Sequence, residues 1–300
     1  MPLDSHRRRL VGTALAIVAA LGFAFTNASA SLAYHGGSNP LTLAAIRFFV
    51  PAIVLAAWMR AERVPLLLSG RDAWIATLLG ALTAQYTGAL LVAIHLIPLA
   101  LAVLLLYLFP FLTTVILVLF GWDKIRWRSV GAIAVAFAGL ALALEPRGGS
   151  IDIAGLGLAF SAALGLAVVV ALSSRVFKAG DARPLTLHMA AVASVLLAAL
   201  CAVSGEFQLP NTGAGWTGFA ASSVLYGFAM ISFYVSVSMI GPARASLLSY
   251  VEPVAAAGFG IAVLGEALAP VQVAGIALVI IALIGATVRP AGAVRQRGGG

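Results

Sequence analysis

The chain has 300 residues, of which 62% are apolar and only 9% are charged. Soluble domains are about half apolar and about one quarter charged, so this composition excludes an ordinary water-soluble fold. The formal net charge of +8 would also suit a nucleic-acid-binding protein, but such a protein gathers its basic residues on one face. Here they lie almost wholly in alternate loops between apolar segments. We therefore expect an integral membrane protein that binds the lipid bilayer and no nucleic acid.

Apolar segments of about 20 residues follow one another along the whole chain, each long enough to cross a hydrocarbon core of about 30 Å as a helix. The first follows a cluster of arginines, as a signal peptide would, but it is longer than a signal segment and leads into further spans. We expect it to stay in the protein. The pattern predicts ten transmembrane helices, at 10–31, 41–59, 73–95, 98–120, 129–145, 153–173, 184–204, 216–238, 244–264 and 270–288.

Basic residues mark the N-terminus, the second, fourth, sixth and eighth loops, and the C-terminus. Arg147 is the exception in an odd-numbered loop, and Arg47 is the exception inside a span. Loops rich in Lys and Arg stay on the cytoplasmic side of a membrane. We therefore predict a multi-pass protein of a bacterial-type inner or plasma membrane, with both termini in the cytoplasm.

The sequence repeats itself at an offset of 143 residues. AIVAALGFAF at 16–25 lies over AFSAALGLAV at 159–168 with six of ten positions identical, and AVLLLYLFP at 102–110 lies over ASLLSYVEP at 245–253. Each copy holds five predicted spans, an odd number, so the second copy enters the membrane upside down relative to the first. We predict an all-α integral membrane protein of ten transmembrane helices in two inverted five-helix repeats, 1–147 and 148–300, an architecture found in transporters.

Two copies of A-x-L-L-x-Y-x-x-P, the second followed by LGEAL at 264–268 and by a glycine-bearing last span, resemble the EamA-type drug/metabolite transporters. The resemblance covers the whole chain and implies a ten-helix exporter of small solutes. The 300-residue form is similar to the amino-acid exporters of that superfamily, including those for aromatic amino acids. The first copy reads FGWDKI where the second has LGEAL, so any role for this glutamate is implied only at Glu266.

Glu252 is the residue most informative about function. It lies eight residues into the ninth predicted span, about 12 Å from the cytoplasmic boundary at 1.5 Å per residue. A carboxylate at that depth costs roughly 3 kcal/mol unless it faces water, finds a partner or takes up a proton. We expect Glu252 to line a cavity, where it pairs with a substrate ammonium group or titrates during transport. The alternative is a buried structural glutamate held by a hydroxyl group or by Arg47.

Tyrosines and small polar residues at similar depth extend this candidate site. A phenol in mid-membrane must form a hydrogen bond inward or toward a cavity, and hydrogen bonding between helices explains such residues equally well. For Arg47 and Asn27 we favour structural roles, because both lie near the outer ends of their predicted spans. The predicted substrate-binding residues are Glu252, Gln85, Tyr86, Tyr107, Tyr226, Tyr250 and Ser223.

Pro110 and Pro253 close the two copies of the repeated motif. Each removes a hydrogen bond within its predicted helix and tends to kink it. We expect a hinge at this point of each repeat, and a static kink that only shapes packing is the alternative.

Four scattered histidines and a single cysteine give no metal-ligand spacing, and the chain has no Walker-type phosphate-binding motif. We predict no metal, no cofactor and no enzymatic activity. The expected function is export of amino acids, aromatic or hydrophobic ones, by alternating access, for which a monomer suffices. Another metabolite or a lipophilic cationic drug is the alternative substrate, and an intramembrane enzyme or a scaffold is the alternative function. Proton coupling and passive facilitation both fit the sequence.

Overall fold

The computed structural model describes residues 5–124, 127–144, 152–176, 181–264 and 269–287. The regular secondary structure of these residues is entirely helical, with no strand among them. The helices of the first half are α1 (Ser5–His35), α2 (Pro40–Ala61), α3 (Gly70–Leu96), α4 (Leu99–Leu106), α5 (Phe109–Leu119) and α6 (Trp127–Leu144). Those of the second half are α7 (Ile153–Val176), α8 (Arg183–Ser204), α9 (Gly213–Ile240), α10 (Pro242–Leu248), α11 (Val251–Leu264) and α12 (Pro270–Thr287).

Eight helical stretches in this part of the chain are long and apolar enough to cross a membrane. Seven are the single helices α1, α2, α3, α6, α7, α8 and α9, and the eighth, Leu101–Leu119, is formed by α4 and α5 together. They confirm the multi-pass membrane protein that the composition predicts. The last two predicted spans contain α10, α11 and α12, which are not among these eight stretches, so the count of ten stays a prediction.

The fourth and ninth predicted spans are each interrupted rather than merely kinked. Two residues lie between the end of α4 and the start of α5, and two lie between α10 and α11. A proline lacks an N–H donor and clashes with the carbonyl group four residues earlier, so it stops a preceding helix but fits the first turn of a new one. Pro110 and Pro253 occupy that first turn in α5 and α11. Whether the interruptions act as hinges stays a prediction.

The most extensive helix contacts join the first half of the chain to the second. α1 packs on α9 as α3 packs on α7, and α2 packs on α9 as α3 packs on α8. α2 also packs on α8, and α6 packs on α12. Exchanging the two halves leaves this pattern unchanged, which is the property of a pseudo-twofold axis between two copies of one unit.

Glycine contacts show the same symmetry residue by residue. A Cβ atom added to Gly12 on α1 would lie 2.6 Å from Cγ2 of Ile240, and one added to Gly155 on α7 would lie 2.7 Å from Cγ2 of Ile97. The counterparts are 143 positions apart, the offset of the sequence repeat. The same offset relates a second pair of contacts, Gly22 with Ala229 and Gly165 with Tyr86.

Loop contacts close one end of the α2 and α8 pair, the end that the charge pattern assigns to the outside. The Asn211 N–H donates a hydrogen bond to the Gly36 carbonyl oxygen over 2.8 Å. The Ser38 hydroxyl donates to the Gln208 carbonyl oxygen over 2.9 Å. These bonds tie the loop after α1 to the loop after α8.

Charged groups join α2 and α8 at the opposite end. Arg183 forms ion pairs with Glu62 and Asp181, and its guanidinium carbon lies 5.1 Å from the centre of the Trp58 ring. Hydrogen bonds from Arg183 and Trp58 hold the pKa of the exposed Glu62 carboxyl below its ordinary value. Partial burial raises the pKa of Asp181, but hydrogen bonds from Arg183 outweigh this effect and the pKa is lowered. Both carboxylates therefore stay ionised at neutral pH.

α6 and α12 meet through two glycines. A Cβ atom on Gly139 would lie 2.6 Å from the Gly275 carbonyl oxygen, and one on Gly275 would lie 2.5 Å from the Gly139 carbonyl oxygen. Both contacts are with backbone, so neither glycine accepts a side chain unless the helices move apart. Gly131, on the same helix α6, has nothing within 4 Å of an added Cβ atom.

We predict that Gly139→Ala destabilises the protein by about 1–3 kcal/mol, because the added methyl group overpacks the contact between α6 and α12. The matched Gly131→Ala variant keeps or slightly raises stability, since it adds no clash and reduces the freedom of the unfolded chain. Thermal unfolding of the purified protein in detergent, followed by tryptophan fluorescence, measures both. Equal midpoints for the two variants would contradict the close glycine contact.

Candidate functional site

Polar side chains from both halves of the chain meet at Glu252, in the first turn of α11. The Asn27 side-chain amide on α1 donates a hydrogen bond to Glu252 Oε1 over 3.0 Å. The Tyr107 hydroxyl, in the break between α4 and α5, and the Arg47 guanidinium group on α2 interact electrostatically with the same carboxylate. The positive end of the α11 backbone dipole also favours a carboxylate at this place. The helix break thus creates a site for a negative charge inside an apolar bundle.

Arg47 lies against aromatic rings. Its guanidinium carbon is 4.4 Å from the centre of the Tyr226 ring and 6.0 Å from that of Phe48. The Tyr226 ring in turn contacts the rings of Phe48 and Phe23, with centroid distances of 5.0 and 5.6 Å. The hydroxyl groups of Tyr226 and Tyr86 interact electrostatically. A cation over the face of such rings is stabilised by their quadrupole.

We call Asn27, Arg47, Tyr86, Tyr107, Tyr226 and Glu252 the polar cluster. At 1.5 Å per helical residue, Asn27, Arg47 and Tyr86 lie about 10–15 Å from the helix ends that the charge pattern assigns to the outside. Tyr226 lies near the middle of the long helix α9. The cluster is therefore well inside the hydrocarbon region, where ionisable groups are expensive and mark substrate or ion pathways.

The two helix breaks meet each other through a pair of tyrosines. Tyr250 is fully buried, and its hydroxyl donates a hydrogen bond to the Tyr107 carbonyl oxygen over 2.7 Å. The centroids of the two rings are 5.6 Å apart. Carbonyl groups at the end of a helix lack an intrahelical donor, so Tyr250 satisfies a backbone group that the break leaves unpaired. The Tyr107 hydroxyl faces Glu252 instead.

Gln85 and Ser223, two predicted substrate-binding residues, have other partners. Gln85 is exposed, and its side-chain nitrogen is 3.4 Å from the Ser161 hydroxyl on α7. Ser223 is buried and donates to the Phe219 carbonyl oxygen one turn earlier on its own helix, over 2.8 Å. Neither interaction connects them to Glu252, and their predicted role stays a prediction. Glu266 lies outside the described residues.

Asn27 and Arg47 were assigned structural roles in the sequence analysis, and the structure brings both to Glu252. The sequence repeat contained a feature that could have indicated a role for Asn27 and Arg47 at the site. A polar residue found in one copy only is not required by an architecture that both copies share. The residues 143 positions away from Asn27, Arg47 and Glu252 are apolar: Val170, Ala190 and Phe109.

A cavity of about 340 Å³ lies toward the end of the bundle that the charge pattern assigns to the cytoplasm. The Arg175 guanidinium carbon on its wall lies 4.6 Å from the centre of the Trp122 ring, and Arg8 donates to the Ser238 carbonyl oxygen over 3.0 Å. Ser238 is twelve residues from Tyr226 on α9, or about 18 Å. α1 and α9 thus carry both the cavity wall and part of the polar cluster.

Within the described ranges, no group of three or more His, Cys, Asp or Glu side chains is placed to hold a metal ion. The chemistry of the site rests on one carboxylate, one guanidinium group, an amide and several phenols.

Interrupted helices that meet inside an apolar bundle with a pseudo-twofold axis, next to a half-buried charged site, define the class of membrane transporters. The chain belongs to the EamA-like transporter family, whose model matches it twice, at residues 10–144 and 153–288. This confirms the predicted family and identifies a membrane transporter of small solutes. The two matched segments agree with the duplication.

Comparison with solved structures supports the fold. A structure described as "Crystal structure of protein" superposes with a TM-score of 0.78 over 92% of this chain and 96% of its own, at 22% sequence identity. At that identity the likeness concerns the fold alone. No curated protein matches the chain.

We predict that Tyr250→Phe lowers stability by about 1–3 kcal/mol, because the buried Tyr107 carbonyl group loses its hydrogen-bond donor. Tyr34→Phe is the matched control, since the Tyr34 side chain is 38% exposed and its hydroxyl is replaced by water at little cost. Thermal unfolding in detergent is the measurement. A midpoint for Tyr250→Phe as high as that of the control would show that the contact between the two breaks contributes nothing.

Proposed function

We propose that the protein exports small organic amines, and amino acids with aromatic or hydrophobic side chains in particular, by alternating access. The observation that carries this proposal is the half-buried Glu252 carboxylate, which accepts a hydrogen bond from Asn27 and interacts electrostatically with Tyr107 at a helix break. A carboxylate among aromatic rings suits a substrate ammonium group, because both the charge and the ring faces attract a cation.

The composition of the polar cluster supports alternating access. Asn27, Arg47 and Tyr107 come from the first half of the chain, whereas Tyr226 and Glu252 come from the second. In transporters built of ten spans in two inverted repeats, here 1–147 and 148–300, one repeat rocks against the other around a fixed site. A site shared between the repeats changes when they move, and one chain already contains both moving parts, so a monomer suffices.

The interruptions before Pro110 and Pro253 are the proposed hinges. The half-helices on either side of each break are not held together by a continuous ladder of helical hydrogen bonds, so they are able to tilt separately. Because the Tyr250 hydroxyl is bonded to the Tyr107 carbonyl, movement at one break is transmitted to the other.

The cavity that contains Arg8 and Arg175 on its wall is the proposed cytoplasmic mouth of the pathway. Its position agrees with the charge pattern, which places both termini in the cytoplasm. A solute that enters there follows α1 and α9 for about 18 Å to reach Tyr226 and the polar cluster. An organic cation is the alternative substrate, since a carboxylate in an aromatic setting also suits it.

We predict that purified protein in liposomes takes up radiolabelled amino acids saturably, and that Glu252→Gln lowers the initial rate at least tenfold. The amide keeps the shape of the side chain but removes the charge that attracts the ammonium group. Glu206→Gln, in the exposed loop after α8, is the matched control and retains the wild-type rate. Uptake by Glu252→Gln at that same rate would contradict the proposed role of the carboxylate.

A further inference from the structure

Arg47 carries a buried hydrogen-bond donor without a partner. Its Nε atom is shielded from solvent and bonds to no group in the described part of the chain. A polar group buried in this way is normally satisfied, because leaving it unpaired costs free energy. An arginine that merely extended toward the membrane surface would place its donors in water, so snorkelling does not explain this side chain. The buried donor points instead to a group that arrives with the substrate.

The neighbouring charge does not fill this role. Arg47 attracts Glu252 electrostatically, yet no salt bridge joins the two among the ion pairs of the described residues. The Glu252 carboxylate accepts a hydrogen bond from Asn27, and the guanidinium group lies on the Tyr226 ring. A structural ion pair would bring the opposite charges into contact. Here each charge is held by its own neighbours, and the two are kept apart.

We propose that Arg47 binds the carboxylate of the substrate while Glu252 binds its ammonium group, so that the solute is recognised as an α-amino acid zwitterion. The inference rests on the proposed function and specifies its substrate class. The planar fork of a guanidinium group matches the two oxygens of a carboxylate. A simple amine leaves Arg47 unpaired and is repelled by it, and a simple carboxylic acid is repelled by Glu252.

The surrounding rings indicate where the amino-acid side chain lies. Phe23 and Phe48 each contact the Tyr226 ring beside the guanidinium group, and Tyr86 interacts electrostatically with Tyr226. Such rings offer an apolar, edge-and-face surface for an aromatic or aliphatic side chain. The two charges thus fix the end of the solute that all amino acids share, and the rings select among side chains.

Three radiolabelled solutes with the same ring test the proposal: phenylalanine, phenethylamine, which lacks the carboxylate, and 3-phenylpropionate, which lacks the ammonium group. Initial uptake rates into proteoliposomes are measured with and without an imposed proton gradient. We expect kcat/KM of the wild-type protein for phenylalanine to exceed that for either analogue at least tenfold. Phenethylamine taken up as well as phenylalanine overturns the inference and leaves the proposed function intact. No uptake of any amino acid or amine under either condition overturns both.

Variants of Arg47 provide a second test of the proposal. We expect Arg47→Gln to raise KM for phenylalanine at least tenfold and to leave uptake of phenethylamine unchanged or increased, because only the amino acid loses a partner. Arg47→Lys restores charge without the fork and is expected to lie between the two. The matched control is Arg60→Gln, which removes an exposed arginine in the last turn of the same helix, α2, outside both the polar cluster and the cavity.

Comparing uptake of the two solutes with the thermal midpoint distinguishes a binding role of Arg47 from a structural role. A structural arginine would, on substitution, lower uptake of both solutes together with the thermal midpoint, and that outcome contradicts the proposal. If Arg47→Gln fails to fold, the wild-type preference among the three solutes still decides between zwitterion and amine.

Discussion

Interrupting a helix inside an apolar bundle frees backbone groups that lipid is unable to satisfy. This protein carries two such interruptions, and the rest of its site depends on how they are resolved. At the first break the Tyr107 carbonyl oxygen accepts a hydrogen bond from the buried Tyr250 hydroxyl group. At the second, the new N-terminus of α11 places a carboxylate where the helix dipole favours it. The hydrogen bond from Tyr250 thus stabilises the first break, and the second break places the Glu252 carboxylate inside the bundle.

Symmetry in the backbone is combined with asymmetry in the chemistry. Glycine contacts such as Gly12 with Ile240 and Gly155 with Ile97 are nearly identical at the same sequence offset, so the two halves share one packing scheme. The amide and the charged groups of the polar cluster break this symmetry, since Asn27 and Glu252 lie opposite Val170 and Phe109 in the repeat. The two halves thus share a duplicated packing framework, while Asn27, Arg47 and Glu252 are each present in one copy only.

Sequence alone predicted the features that depend on composition and local order. The length of the apolar segments predicts the membrane helices. The repeat at an offset of 143 residues predicts the symmetry seen in the packing of α1 on α9 and of α3 on α7. The prolines of the repeated motif locate the breaks. The sequence did not predict that each kink is a full interruption of the helix. The interruption depends on the hydrogen bond that the Tyr250 hydroxyl donates to the Tyr107 carbonyl oxygen in the other repeat.

The sequence predicted how deep in the membrane the candidate-site residues lie, but not which neighbours their side chains face. Counting residues from a helix end places Glu252, Tyr86 and Tyr226 at similar depth, but it does not tell which way a side chain faces. For this reason Gln85 was grouped with Tyr86, although it contacts Ser161 on α7. Arg47 was placed by its nearness to the membrane surface, whereas its ring contacts and buried Nε atom are tertiary features.

The central claim is that the solute binds between the two halves of the chain at the polar cluster. A structure determined with a bound amino acid tests it most directly. The account predicts that the solute lies among α1, α2, α3, α9 and α11, with its nitrogen at hydrogen-bond distance from Glu252. A solute bound elsewhere, with Glu252 still hydrogen-bonded to Asn27 as it is here, would contradict the account.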